Sequence, residues 1–316
     1  MRRFKLLPLT GLLAIGLSVA GSAHAGAYAV AFDEITNFVI TSTPAATIGA
    51  SSVNSNATAC LPNLNCVSTG GAGSSNAAPA QIGVAKADND YSLVGILPIN
   101  YIRADASIDS RQTAGDPFTR ARNLAEGYLF TSTTANATAG NSSGTVITTT
   151  VTIGAGGSIL DFRFDLDPFM KVLLHAGSIP PSQADATIST SITLANNATG
   201  TTVFSWSPDG IVNPGGAILG GVEVRDPFSG NNTLVALPGA NGPFTYDPLN
   251  CAVGSNPLGC FSAHTNALGA GVYTLNLAMR ETVNLQKAVP EPGTLALAGL
   301  GFGLVGFLGR RRRQVR

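Results

Sequence analysis

Apolar residues recur at every second position over long runs of this chain, which is the period of a strand with one buried side. Residues 145–153 place Ile147, Thr149, Val151 and Ile153 on one side and Val146, Thr148, Thr150 and Thr152 on the other. Residues 186–194 turn Ile188, Ile192 and Leu194 inward and Thr187, Ser189, Ser191 and Thr193 outward. After the polar turn at 195–200, the run 201–206 is expected to pair back as a hairpin with Phe204 and Trp206 on one side. The same alternation buries Tyr273, Leu275, Leu277 and Met279 in 271–285, and Phe162, Phe164 and Leu166 in 159–167. Weaker strands are expected at 27–32, 37–42, 91–97, 101–108 and 126–132, and no stretch between 26 and 288 carries a useful helical stripe.

Many strands separated by Gly, Asn, Ser and Pro clusters predict an all-β, antiparallel β-sandwich, jelly-roll-like, in one domain spanning 26–288. The Ser/Ala/Asn/Gly-rich stretch 41–79 is expected as a long flexible loop within it. A short motif recurs at uneven intervals: Asp116-Pro117-Phe118, Asp167-Pro168-Phe169 and Asp226-Pro227-Phe228, with Asp247-Pro248-Leu249 as a variant. Asp followed by Pro suits the first two positions of a type I turn, so these are expected to end strands.

Both ends of the chain break the pattern. Residues 1–25 have a basic start, an apolar run from Leu6 to Ala20 and a small-x-small end at Ala23-His24-Ala25. That is the layout of a secretory signal peptide cut after Ala25. Residues 294–309 form an uncharged, glycine-rich run of 16 residues, followed by a basic tail at 310–316. As a helix this run spans roughly 24 Å against a hydrocarbon core of about 30 Å, a marginal transmembrane helix. Arg310, Arg311, Arg312 and Arg313 behind it would keep that end cytoplasmic and the 26–288 body outside the inner membrane.

The order Val289-Pro290-Glu291-Pro292, apolar helix, arginine cluster resembles the PEP-CTERM sorting signal of Gram-negative surface proteins. The resemblance covers only 289–316. It implies recognition by a membrane-embedded exosortase, cleavage near the Pro-Glu-Pro and delivery to the surface or beyond. It also implies the company of exopolysaccharide or biofilm systems, and glycosylation.

The formal charge is zero, 18 basic against 18 acidic residues, but the basic residues gather at the ends. Between Asp33 and Lys287 there are 10 basic and 17 acidic residues, so the body is about −7. That sign repels phosphate backbones and argues against nucleic-acid binding. Four cysteines after a signal peptide fit an oxidising destination. Four cysteines allow three connectivities, and the favoured one joins the local pairs Cys60 with Cys66 and Cys251 with Cys260, because each brackets a turn-rich loop. Cys251, Cys260 and His264 make a poor metal site for want of a fourth ligand.

Candidate chemistry is sparse. Asp161, Asp165 and Asp167 share a strand side, but Arg163 among them makes a solvated charge ladder the better reading than a Ca²⁺ site. Asp88, Asn89 and Asp90 offer a second weak Ca²⁺ possibility in a loop; no other cofactor is expected. His175 and His264 have no nucleophile motif beside them, and Glu34, Glu126, Glu223 and Glu281 carry no glycosidase signature. A sugar-binding platform would need Trp206 or a tyrosine, and the Thr148, Thr150, Thr152 row is read as ordinary exposed strand threonine. The leading expectation is an exported, non-enzymatic surface or matrix protein. A carbohydrate-binding module or adhesin is the alternative, and a glycoside hydrolase using paired carboxylates the second alternative.

Overall fold

The computed structural model describes residues 26–61, 65–87, 90–113, 116–130, 137–212, 216–248 and 260–288. Within them lie the strands β1 (Ala27–Thr43), β2 (Thr47–Cys60), β3 (Val67–Ala72), β4 (Asn76–Ile82), β5 (Tyr101–Thr113), β6 (Asp116–Leu129), β7 (Ala137–Ile153) and β8 (Ile159–Leu174). They are followed by β9 (Gln183–Asn196), β10 (Thr202–Ser207), β11 (Ala217–Leu219), β12 (Gly221–Arg225), β13 (Asn231–Ala236), β14 (Phe244–Tyr246), β15 (Phe261–Thr265) and β16 (Gly271–Lys287). The first sheet runs β12-β15-β8-β1-β6-β5-β4, with β14 also on β8; the second runs β11-β10-β9-β16-β7-β2-β3, with β13 also on β9. Every pairing is antiparallel. The expected all-β architecture is therefore present as two sheets packed face to face, and β10 returns along β9 as the hairpin pattern predicts.

The inward residues make two apolar cores of different character. One is rich in small side chains, with Ala27, Ala29, Ala31, Ala57, Ala59, Ala104, Ala106, Ala184 and Ala186 around Ile102, Met170 and Val283. The other is aromatic, with Phe38, Phe162, Phe164, Phe204, Trp206 and Phe261 among Ile147, Val151, Leu275 and Leu277. Phe164 stacks on Phe261 at 5.0 Å and meets the Trp206 ring at 5.4 Å.

A polar belt separates the two cores, and it crosses β1, β6, β7, β9 and β16 at one height. On β1, Asp33 lies between Ala31 and Ile35; on β9, Thr190 between Ile188 and Ile192; on β16, Glu281 between Val283 and Met279. Asn123 of β6 and Ser143 and Thr145 of β7 complete it. The sheets join here: Thr190 Oγ1 donates to Asp33 Oδ2 at 3.0 Å and Asn123 Nδ2 to Thr145 Oγ1 at 3.1 Å. Ser143 Oγ reaches Glu281 Oε2 at 3.3 Å. Burial pushes the Asp33 carboxyl up to about 8 against the opposing Thr190 bond, and burial followed by the Asp33 charge raises Glu281. Both belt carboxyls are thus biased toward their protonated forms.

Several expectations need correction. The stretch 41–79 holds the end of β1, β2, β3 and the start of β4 instead of a loop. Its strands alternate small apolar with small polar residues, Ala57 and Ala59 inward and Asn56 and Thr58 outward, so the hydropathy contrast is faint. Residues 91–97, expected as a strand, belong to an irregular strap made by 83–87 and 90–100. Asp226-Pro227-Phe228 does end β12, but Asp167-Pro168-Phe169 sits inside β8. Pro168 is tolerated because it pairs with β1 on one side, while on the other β15 reaches only Phe164 and β14 starts at Met170. No ladder bond is asked of its missing N–H. The charge ladder on β8 is only partly solvated: Asp165 is buried, accepting from Asn37 Nδ2 at 2.9 Å and from Cys260 N at 3.0 Å. Asn37 stands at a bulge in β1 with φ 56°, the left-handed region that Asn tolerates better than most residues.

Candidate functional site

Alternation gives each sheet an outer side, and the two sides are finished differently. On the first sheet, outward Tyr28, Val30, Tyr101, Leu124 and Tyr128 are apolar enough to need cover, and Val84, Tyr91, Val94 and Leu97 of the strap pack onto them. Buried Glu126 fastens the strap: Val94 N donates to Oε2 at 2.9 Å, and Gly95 N and the Tyr28 hydroxyl donate to Oε1 at 2.8 and 2.9 Å. Burial and then the Glu126 charge push the Tyr28 and Tyr101 phenols far above their ordinary range. Arg103, fully buried, pairs with Asp105 and donates to the carbonyl oxygens of Asp90 and Ser92. The side chains on this side are committed to structure.

On the second sheet the outer side carries hydroxyls and amides in register. One row reads Ser68, Thr58, Ser142, Thr282, Thr187, Thr233 across β3, β2, β7, β16, β9 and β13. The next row along the strands reads Asn56, Gly144, Arg280, Ser189, Asn231, and a third, farther along, Ser52, Thr148, Asn276, Thr193, Ser205. Within rows, Thr58 and Ser68 hydroxyls lie 3.1 Å apart, Thr187 and Thr233 3.1 Å apart, and Thr148 donates to Asn276 Oδ1 at 2.7 Å.

Gly140 and Gly144, on β7 on either side of Ser142, lower the floor beside the first row. A Cβ there would meet Asn284 Oδ1 and Asn56 Oδ1 respectively, each at 3.3 Å. The result is an open trough of about 650 Å³ with Thr58, Ser142, Thr187, Ser189, Arg280 and Thr282 among its walls. Arg280 is exposed and has no ion-pair partner among the described residues. Such a surface presents donors and acceptors at the strand spacing of about 4.8 Å across and roughly 7 Å along, matching a ligand that is itself a lattice of hydroxyls.

The residues singled out in sequence fare unevenly. Cys60 and Cys66 are disulfide-bonded at a Cα separation of 4.3 Å, and Cys60 borders the trough. Cys260 is disulfide-bonded as well, while Cys251 lies outside the described residues. Also outside them are Ala23, Ala25, Val289, Pro290, Glu291, Pro292, Arg310, Arg311, Arg312, Arg313 and Asp88. His175 Nε2 lies 3.4 Å from the Tyr128 hydroxyl, and His264 Nδ1 3.1 Å from the Thr265 carbonyl. Glu34 pairs with Arg120 at 2.5 Å, whereas Glu126 and Glu281 are buried structural groups. Trp206 has no exposed surface, and Tyr28, Tyr101, Tyr128 and Tyr273 are buried too, so they cannot form an aromatic sugar platform. Sequence reading missed the open face because its rows exist only in the register of distant strands. The available signal was the run of Thr, Ser and Asn on the outward positions of β7, β9 and β16.

The described residues define an all-β protein of two antiparallel sheets, with one apolar outer side strapped shut and one polar outer side open. Residues 288–313 match the PEP-CTERM protein-sorting motif. The chain therefore carries the sorting signal that its tail resembles, and the motif implies an extracellular protein sorted by exosortase through a membrane-anchor-like C-terminal signal. No curated protein sequence matches the chain. Among the described residues no helix is long and apolar enough to cross a membrane.

Proposed function

We propose that this is a non-enzymatic surface or matrix protein whose open second-sheet face lies against exopolysaccharide after delivery by the exosortase route. In this reading residues 1–25 are removed on export, 294–309 hold the chain in the inner membrane, and cleavage near Pro290–Pro292 releases the body. The observation that carries the reading is the combination of the sorting motif at 288–313 with an outer face of ordered hydroxyls, amides and one exposed guanidinium. Sugar hydroxyls exchange hydrogen bonds with such side chains as readily as water does, and a rigid sheet loses little entropy on binding a polymer.

Mass spectrometry of the mature C-terminus in cells with and without exosortase tests the route. A terminus near 290–292 only in the exosortase-positive cells is expected; an intact tail in both defeats the sorting claim. Binding of purified protein to the producing cells' exopolysaccharide tests the role of the face, and absence of binding removes it.

A further inference from the structure

At the edge of the molecule, away from the trough, three carboxylates converge. Asp209 lies just beyond β10, Glu223 points inward from β12 and Asp226 follows β12 directly; one oxygen of each lies within 4.8 Å of the others. Glu223 and Asp226 are each only 3% exposed.

The backbone is shaped around these acids. Asp226 Oδ2 accepts from Asp209 N at 2.8 Å, while Asp209 accepts from Ile211 N at 2.9 Å through Oδ1 and from Ala217 N at 3.0 Å through Oδ2. A Cβ on Gly216 would collide with Glu223 Oε2 at 1.9 Å and with the Ile211 carbonyl oxygen at 2.4 Å, so a glycine there makes room for two oxygens. Apart from the cluster's proximity, Asp226 Oδ1 is shielded from solvent and has no hydrogen-bond partner among the described residues. An acid kept buried with an unused oxygen beside two further carboxylates is a costly arrangement unless a cation completes it.

We propose that Asp209, Glu223 and Asp226, with the Ile211 carbonyl oxygen, bind one Ca²⁺ ion. An all-oxygen, carboxylate-rich and irregular donor set suits Ca²⁺ with its flexible coordination better than Mg²⁺, which demands an octahedron, or Zn²⁺, which seeks nitrogen and sulfur. The ion ties residues 208–212 after β10, a strand of the second sheet, to β12, the edge strand of the first. It thereby clamps the open edge of the sandwich. This site differs from both Ca²⁺ possibilities read from the sequence, on β8 and at 88–90.

The test uses the full chain in detergent, stripped with EDTA and then titrated with CaCl₂ or MgCl₂ alone. Calorimetry is expected to show one Ca²⁺ per chain, with an affinity in the roughly 10⁻⁴–10⁻³ M range of extracellular modules. The melting temperature should rise by about 5 °C at roughly a hundred times Kd, with a smaller response to Mg²⁺. Glu223→Gln and Asp226→Asn should each abolish the Ca²⁺-dependent rise, whereas Glu281→Gln, a buried acid elsewhere, should retain it. Absence of Ca²⁺ binding by the unmutated chain overturns the proposal without any need for the variants to fold. Binding that survives both cluster substitutions overturns it equally.

Discussion

The two outer sides of this sandwich start from the same strand alternation and end with opposite fates. Where the outward residues are Tyr28, Val30, Leu124 and Tyr128, the strap residues Val84, Tyr91, Val94 and Leu97 and a buried carboxylate, Glu126, cover them. Where they are Thr58, Ser142, Thr282 and Thr187, no described segment is laid across them. The contrast is physical before it is functional. Exposed apolar area needs a cover, whereas a hydroxyl row is satisfied by water and is available to any ligand that can take water's place. Neighbours on one strand show the same division: Glu281 of β16 points into the belt, and Arg280 and Thr282 on either side of it point out.

The largest effect should come from unfastening the strap. Glu126→Ala leaves the amides of Val94 and Gly95 and the hydroxyl of Tyr28 without their acceptor. The expected loss is roughly 3 kcal/mol or more in urea unfolding. Amide exchange should accelerate across 84–97 before it changes in β16. An unchanged midpoint would mean that the two sides are not built as differently as they look.

The interior belt behind the open face should respond next, and to pH. Asp33 is raised from 3.8 to about 8 and Glu281 is raised as well, so over this range the folded state holds protons that the unfolded chain releases. Stability is greatest below the unfolded carboxylate pKa and declines as pH climbs towards 8, with a limiting slope of about 1.4 kcal/mol per pH unit for each proton. Glu281→Gln should flatten that decline in thermal melts taken from pH 4 to 9. A wild-type melting temperature that rises steadily across the same interval would refute the belt's assignment.

Substitution on the open face should cost least in stability. Arg280→Ala and Thr282→Ala are expected to stay within about 0.5 kcal/mol of the parent in denaturation. Their effect should appear in polysaccharide binding instead, with Arg280→Ala weakening it about tenfold, the scale of one charge-assisted hydrogen bond.

How much of this was legible in the sequence follows from side-chain contrast. Parts of β7, β8, β9 and β16 pair large apolar with polar residues, and the large apolar members of their inward sets over 145–153, 159–167, 186–194 and 271–285 were readable, while Asp165 and Glu281 in the same strands were not. Strands β2 to β4 use Ala, Gly, Ser and Asn, whose hydropathies differ too little to show a period, although Ala57 and Ala59 are as buried as any isoleucine. The strap misled in the opposite direction. Val94 and Leu97 do lie against a sheet, but from above it, and Gly95 at φ 76° interrupts the extended course that a strand would need. Asp33 and Glu281 were unreadable as interior groups because acidic residues default to solvent; only the shared height of belt residues on β1, β6, β7, β9 and β16 explains them. The tail needed no three-dimensional context, since its motif is contiguous.

The central claim is that the unstrapped face, and not the strapped one, meets the polymer. The direct measurement is co-sedimentation of the full chain with exopolysaccharide from the producing cells, comparing Ser142→Glu/Thr282→Glu on the open face with Ile96→Glu on the strap, where Ile96 is 50% exposed. The account predicts that the double variant keeps its melting temperature and loses binding by about tenfold or more, while the strap variant binds like the parent. Equal loss in both, or loss only in the strap variant, would contradict it.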